Sequence, residues 1–137
     1  MPLRILLAED FDDCAATTAA VLRHCGHAVR VTHDGPDTIA ACRVELPDVV
    51  LLDIGLPKLN GHDVAIRLRE EFGAATPRLI ALTGFGQPAD RRRSAELGIE
   101  AHLIKPVDLS ELNALLANGN GRSHGGSPSS KPQDDWQ

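Results

Sequence analysis

Short apolar runs alternate with longer amphipathic segments along the first 117 residues. Three of the runs, beginning at Leu3, Val49 and Leu79, are nearly continuous rather than alternating, which is typical of strands covered on both faces. By length and composition, five runs are predicted to be strands: Leu3–Ala8, Ala28–Thr32, Asp48–Asp53, Arg78–Leu82 and Ala101–Ile104.

The segments between these runs have apolar residues at helical spacing. The stripes that predict four of the helices are Cys14–Thr18–Val21–Cys25, Ile39–Cys42, Val64–Leu68–Phe72 and Leu109–Leu112–Leu116. A further helix, with few apolar residues, is predicted over Pro88–Leu97. Asp12 or Asp13, Asp34 and Asn60 are predicted to cap the first three helices, and Gly26 and Gly73 to end two of them. Five strand–helix units in this order predict an α/β fold, a doubly wound five-stranded parallel sheet with helices on both faces.

The composition changes after this pattern ends. From Asn118 the chain reads "NGNGRSHGGSPSSKPQDDWQ", rich in Gly, Ser and Pro. Such a segment cannot bury enough apolar surface to fold. We therefore predict one domain over residues 1–117 and a disordered tail over 118–137.

Composition and charge narrow the class of protein. The chain has 137 residues, 42% of them hydrophobic, a net charge of -5 and a pI near 5.6, which argues against nucleic acid or an anionic membrane as the main partner. No apolar stretch approaches the roughly 20 residues of a membrane span, and the N-terminus does not resemble a signal peptide. The three cysteines have no CxxC spacing. We expect a cytoplasmic domain in a reducing compartment.

Four of the predicted strands have polar residues at their carboxyl ends, either as the last residue of the strand or directly after it. Glu9 and Asp10 follow the first, Asp53 closes the third, and Thr83 and Lys105 follow the fourth and fifth. In doubly wound sheets the carboxyl ends of the strands carry the functional groups. This edge therefore holds acids, one hydroxyl and one amine.

If the strand order is 2-1-3-4-5, the first and third strands are neighbours and their acids crowd together. Like charges at that range are costly unless they are neutralised, and Mg²⁺ is the divalent cation that favours one or two carboxylates with waters and phosphate oxygens. Such a site suits phosphoryl transfer. Asp53 would attack in line, Lys105 would offset charge and Thr83 would donate a hydrogen bond.

The polar residues at this edge lie in four segments, which follow one another as "ILLAED", "VVLLDIGLPKLNG", "IALTGFG" and "HLIKPVD". Asp53 and Thr83 are 30 residues apart, and Thr83 and Lys105 are 22 apart. With this spacing the chain resembles the chemotaxis-Y-like receiver domains of bacterial two-component response regulators, from Leu3 to about Ala117. The resemblance implies a flavodoxin-like (βα)5 fold of order 2-1-3-4-5. "LTGFGQPADRRR…HLIKPVD" is similar to receivers fused to hybrid histidine kinases.

The resemblance also implies roles for single residues. Asp53 would be the phosphoacceptor, and Glu9, Asp10, Asp53 and the backbone carbonyl of Gly55 would hold Mg²⁺, with Mn²⁺ able to substitute. Glu9 stands where Asp is commoner in the family. Thr83 and Lys105 would bind the phosphoryl group, and the Lys105–Pro106 peptide would be cis.

Thr83 would also act as a switch together with His102, which stands three positions before Lys105. The family usually has an aromatic residue there. Because the charge of histidine changes near neutral pH, we hypothesise a pH-sensitive switch.

The implied partner is a histidine kinase or a histidine phosphotransfer protein. A homodimer linked to phosphorylation would form through residues 87–117, and the arginines of "DRRRSAEL" are either a solvated face or part of that surface. The chain would be a switch rather than an enzyme, with at most slow self-dephosphorylation, and we expect no output domain within it.

Two other functions compete with this interpretation. A phosphatase of the haloacid dehalogenase type also uses Asp, Thr, Lys and Mg²⁺, but it needs an acid two residues after the nucleophile, where Gly55 stands, and its nucleophile lies on the first strand. A docking module that works without phosphorylation would need none of the five polar residues.

Overall fold

Strands and helices alternate strictly along the chain. The structure is a computed structural model and describes residues 2–84 and 88–118. Within these ranges the elements are β1 (Arg4–Ala8), α1 (Asp12–His24), β2 (Ala28–Thr32), α2 (Gly35–Val44), β3 (Val49–Asp53), α3 (Gly61–Phe72), β4 (Arg78–Thr83), α4 (Pro88–Glu96), β5 (Ala101–Ile104) and α5 (Leu109–Asn118), with a 3-10 turn at Gly73–Ala75. Each predicted strand is confirmed to within one residue at either end.

The five strands form one parallel sheet in the order β2-β1-β3-β4-β5. This is the predicted order, and it makes β1 and β3 neighbours. The chain reverses its direction of strand addition between them, because β2 lies on one side of β1 and all later strands lie on the other. That reversal is where doubly wound sheets place their functional groups.

Both faces of the sheet are covered, which explains the continuous apolar runs. Along β1, Ile5 and Leu7 pack with the buried residues of α1 and α5, while Leu6 and Ala8 pack with those of α2 and α3. All five residues of β3 are buried. Asp53 therefore stands at the end of a strand held on both sides by tightly packed core.

Two of the predicted helix caps are confirmed. The side chains of Asp34 and Asn60 accept hydrogen bonds from the backbone N–H groups of Asp37 and Asp63, at 2.8 and 2.9 Å. Each bond satisfies one of the N–H groups left unpaired at a helix start. Gly73, with φ of +53°, ends α3 as predicted.

The prediction for α1 was wrong in two respects. Its N-cap is Phe11, without a side-chain cap, and Asp12 and Asp13 lie in the first turn, where the helix dipole favours negative charge. Its buried residues are Ala15, Thr18, Ala19 and Leu22, whereas Cys25 lies beyond the helix and is exposed. Small residues of α1 itself lie on most of its sides, so the pattern of apolar positions in the sequence did not define which face of the helix is buried.

The last helix extends one residue past the predicted domain boundary, to Asn118. The rest of the predicted disordered segment, residues 119–137, lies outside the described residues. Within residues 2–84 and 88–118, no helix combines the length and the apolar character that a membrane span requires.

Candidate functional site

The carboxylates of Glu9 and Asp53 meet at the carboxyl edge of the sheet. β1 and β3 run in parallel register, with Ala8 opposite Leu52, so the next residue of each chain segment reaches the same edge. Glu9 is 1% exposed and Asp53 is 7% exposed. Two buried carboxylates at short range need a compensating positive charge, since burial and mutual repulsion both disfavour their ionised forms.

Lys105 supplies that charge from the segment after β5. Its Nζ lies 2.8 Å from Oε1 and 3.0 Å from Oε2 of Glu9, and 3.1 Å from Oδ2 of Asp53. Its backbone N–H donates to the carbonyl oxygen of Thr83 at 2.7 Å. The Lys105–Pro106 peptide is cis, as the resemblance implied. One ammonium group therefore bridges the acids that follow β1 and close β3.

The two carboxylates keep Lys105 protonated. Burial alone would lower the pKa of its ammonium, but the hydrogen bonds that Lys105 donates to Glu9 and Asp53 and the charges of both carboxylates outweigh burial and raise the pKa above its ordinary value. Lys105 is thus a fixed positive charge at neutral pH, directed at the oxygen atoms of Asp53 and Glu9.

One oxygen of Glu9 keeps unused capacity as an acceptor. Oε2 accepts hydrogen bonds from Lys105 Nζ and, at 3.1 Å, from the backbone N–H of Phe11. Oε1 is buried and lies in ion-pair contact with Nζ, yet within the described part of the chain it has no partner in hydrogen-bond geometry. Ion-pair distance alone does not satisfy a carboxylate oxygen, which can accept two hydrogen bonds or bind a cation.

The two oxygens of Asp53 have different partners. Oδ1 accepts the backbone N–H of Gly55 at 2.9 Å, and Oδ2 faces Lys105. The backbone behind Asp53 is tightly packed: a Cβ atom added to Gly61 would come within 2.7 Å of both the Asp53 carbonyl oxygen and the Ile54 Cα. The N-terminus of α3 thus approaches β3 closely only because residue 61 is glycine.

Two of the predicted residues lie beside this cluster. Asp10 follows Glu9 in the loop between β1 and α1 and is exposed. Thr83 closes β4 and is 6% exposed. The structure therefore brings Glu9, Asp53 and Lys105 into direct contact and places Asp10 and Thr83 at the same edge.

His102 lies on β5, opposite Ala81 in the sheet. Both of its ring nitrogens are buried and lack a hydrogen-bond partner within residues 2–84 and 88–118. Burial lowers the pKa of this imidazole, the nearby charges of Arg91 and His62 lower it further, and Asp90 opposes them. His102 is therefore a neutral, half-buried ring under α4.

The described residues do not form a complete set of metal ligands from acidic, histidine and cysteine side chains. In the part of the chain that the structure describes, no group of three or more His, Cys, Asp or Glu side chains is arranged to hold a metal ion.

Sequence reasoning missed two residues next to the acids. Gly61 is required by the close approach described above, and only the "NG" before a predicted helix hinted at it. His33, in the loop after β2, places Nδ1 3.0 Å from the Glu9 carbonyl oxygen. Its contact with Glu9 could not be predicted, because the contact depends on how two loops meet.

Comparisons with known proteins agree with this geometry. Residues 5–117 match the model of the response regulator receiver domain. The chain is 35% identical to protein PilH of Pseudomonas aeruginosa over 118 residues, covering 83% of this chain and 98% of that protein. It spans half the length or less of several other curated relatives.

Solved structures show the same architecture. The receiver domain of the sensor histidine kinase PA1611 of Pseudomonas aeruginosa, which has a magnesium ion coordinated in its active-site cleft, superposes with a TM-score of 0.79 at 28% identity, covering 88% of this chain and 99% of that one. Chemotaxis protein CheY4 of Vibrio cholerae gives 0.79 at 20% identity, covering 85% and 98%. The second likeness concerns the fold alone.

Proposed function

Because this chain belongs to the response regulator receiver domain family, we propose that it is a phospho-accepting switch and that Asp53 is its phosphoacceptor. The observation that carries the proposal is the contact of Asp53 Oδ2 with Lys105 Nζ at 3.1 Å, at the end of a fully buried strand. This contact pairs a carboxylate on a buried strand with the ammonium of Lys105. A phosphoryl group on Asp53 would therefore lie next to that ammonium.

The chemistry is a transfer between a nitrogen and an oxygen. An oxygen of Asp53 attacks the phosphorus of a phosphohistidine on the partner. The new P–O bond forms as the P–N bond breaks, and the imidazole keeps the electron pair and takes up a proton. Lys105 offsets the charge on the phosphoryl oxygens. Slow attack by water later releases inorganic phosphate and restores Asp53, so the chain is a switch rather than an enzyme with turnover.

The residues present fit Mg²⁺. It favours hard oxygen ligands and needs only one or two carboxylates beside its waters, and Glu9 offers a buried oxygen without a hydrogen-bond partner in the described residues. Asp10, Asp53 and the carbonyl of Gly55 would complete the protein's share, and Mn²⁺ would substitute. When bound, the cation offsets negative charge on the phosphoryl oxygens.

The response to phosphorylation would pass through Thr83 and His102. The hydroxyl of Thr83, at the end of β4, would donate to a phosphoryl oxygen. His102 lies beside β4, and among the described residues its two buried ring nitrogens have no hydrogen-bond partner, an arrangement that costs free energy and that a movement of the ring would relieve. A phosphorylation-dependent change that is identical in His102→Tyr and in the native chain from about pH 6 to pH 8 would contradict the pH-sensitive form of this switch.

The partners follow from the same function. The donor would be a histidine kinase or a histidine phosphotransfer protein in the cytoplasm, and the output would be altered protein contact, including a homodimer through residues 87–117. Arg91, Arg92 and Arg93 are all exposed on α4 in that region. The acidic net charge of -5 disfavours direct binding to nucleic acid or to an anionic membrane.

A phosphatase of the haloacid dehalogenase type remains the competing function, and the strand order disfavours it. The candidate nucleophile Asp53 closes β3, and Glu9 and Asp10 follow β1, the reverse of the order that such a phosphatase would need. Gly55 also leaves no acid two residues after Asp53.

The test is incubation of the full chain with acetyl phosphate and Mg²⁺, followed by intact-mass measurement. We expect one phosphoryl group on the native chain and none on Asp53→Asn. Continuous release of phosphate at an enzymatic rate would favour the phosphatase instead.

A further inference from the structure

The backbone of Glu9 is held on two sides by one dipeptide of the loop after β2. The N–H of Glu9 donates to the carbonyl oxygen of Thr32 at 3.0 Å. The carbonyl oxygen of Glu9 lies 3.0 Å from Nδ1 of His33. The first contact continues the sheet between β1 and β2, whereas the second depends on a side chain.

The surroundings of His33 fix which ring nitrogen carries the hydrogen. Besides the Glu9 carbonyl, Oδ1 of Asp12 lies 3.6 Å from Nδ1. Both are oxygen acceptors, so Nδ1 carries a hydrogen and donates to the Glu9 carbonyl whichever charge state the ring has. His33 therefore donates to Glu9 without needing to be charged.

Holding the carbonyl of Glu9 also orients the next residue. The peptide between Glu9 and Asp10 is planar, so a fixed carbonyl direction fixes the plane that carries the N–H and Cα of Asp10. The side chain of Glu9 is already anchored by Lys105 and by the N–H of Phe11. Asp10 is exposed. The contact of His33 with the carbonyl of Glu9 therefore controls the direction of the Asp10 backbone.

We propose that His33 is a positioning residue for the acidic pair Glu9 and Asp10, and that it sets the affinity of this pair for a divalent cation. The inference rests on the proposed metal site. Groups that orient metal ligands typically change metal affinity by about 10- to 100-fold when they are removed. The side chain of His33 is 53% exposed, so we expect an effect at or below the lower end of that range.

The experiment compares four full-length variants with the native chain. His33→Leu removes the donor, and His33→Asn keeps one, because the side-chain nitrogen of asparagine is as many bonds from the backbone as Nδ1. His24→Leu removes an exposed histidine of α1 and is the matched control. Asp53→Asn reports whether the carboxylate site binds metal at all. Free Mn²⁺ is followed by electron paramagnetic resonance at about pH 8, where an ordinary histidine is neutral, and Mg²⁺ by competition.

We expect His33→Leu to weaken Mn²⁺ and Mg²⁺ binding by about five- to tenfold, with His33→Asn and His24→Leu close to the native chain. A change confined to the unfolding midpoint, or a failure of His33→Asn to restore affinity, would overturn the positioning role. A native chain that binds Mn²⁺ no better than Asp53→Asn would overturn the metal site as well.

A metal-free measurement keeps the inference independent of that site. The backbone amide resonance of Asp10 should shift or broaden in His33→Leu and stay in place in His33→Asn and His24→Leu. An Asp10 amide resonance that is identical in these three variants and in the native chain would contradict the proposal.

Discussion

The ammonium group of Lys105 lies 2.8 Å from the carboxylate of Glu9, a residue 96 positions earlier in the chain that is 1% exposed. The same group contacts Asp53. The carboxyl edge of the sheet is thus a small charge network, in which the ammonium of one largely buried lysine contacts two buried acids.

Lys105→Met should destabilise the fold by about 2 kcal/mol at neutral pH. Removing one partner of a buried ion pair costs about 3–5 kcal/mol, and we expect less because Lys105 is 23% exposed. Urea denaturation followed by circular dichroism measures the difference. Lys58→Met is the matched control, since Lys58 is 68% exposed and contacts Asp34 at 3.4 Å, and it should cost less than about 1 kcal/mol. Equal effects of the two variants would contradict the buried network.

The pH dependence of that difference has a definite sign. The pKa of Lys105 is raised above the ordinary lysine value of 10.5, so its stabilisation is complete below that pH and is lost as the pH rises through the folded-state pKa. Between about pH 6 and pH 9 the Lys105→Met difference should therefore stay constant as far as lysine titration is concerned.

Gly61→Ala should destabilise the protein by about 1–3 kcal/mol, the usual cost of overpacking. The new Cβ would come within 2.7 Å of backbone atoms at Asp53 and Ile54, which are too rigid to move away freely. Gly55→Ala is the matched control, because its Cβ would lie 3.7 Å from Asp53 Oδ1, an ordinary contact. If both variants unfold at the same urea concentration, the close approach of α3 to β3 is wrong.

His102→Phe should flatten the pH dependence of stability on the acidic side. Burial first and then Arg91 lower the pKa of His102 in the folded state, so the unfolded chain binds more protons as the pH falls below about 6.5. Stability then rises with pH through that window, and it falls on acidification. The free energy of unfolding at about pH 7.5 and pH 5.5 measures this for both chains, with His24→Phe as an exposed control.

His62 must be tested together with His102, because burial also lowers the pKa of the His62 imidazole. His62 contacts Ser94 at 2.9 Å, so it is not an unpaired ring. A His102→Phe chain that keeps the full native pH dependence would assign that dependence to His62 or to another group.

Mg²⁺ should stabilise the chain in proportion to its affinity, by about 1.4 kcal/mol at tenfold excess over the dissociation constant. Asp10→Asn should lose much of this gain while unfolding at the native midpoint without metal, because Asp10 is exposed. Asp13→Asn, an exposed acid in the first turn of α1, should keep the gain. Equal gains in both variants would remove Asp10 from the metal site.

Much of this architecture could be predicted because the strands that are covered on both faces, β1, β3 and β4, are nearly continuous apolar runs in the sequence. Once Val49–Asp53 is covered on both faces, Asp53 must stand at the rim, and the strand order then places Glu9 beside it. The caps Asp34 and Asn60 were predictable for the same local reason, since a capping bond spans only three residues.

The remaining features depend on contacts between distant segments. The buried face of α1 was predicted wrongly, because Cys14, Ala15 and their neighbours are similarly small and apolar. The contact of His33 with Glu9 joins two loops that no local pattern relates. The space at Gly61 is set by how closely α3 approaches β3, which is a property of packing rather than of sequence period.

The most direct measurement locates the phosphoryl group. The full chain is treated with acetyl phosphate and Mg²⁺, reduced with borohydride, which converts an aspartyl phosphate to homoserine, and digested for peptide sequencing by mass spectrometry. We expect homoserine at position 53 and native residues at Glu9, Asp10 and the other acids. Conversion at a different acid, or no conversion in a chain shown to be folded, would contradict the assignment of Asp53 as phosphoacceptor.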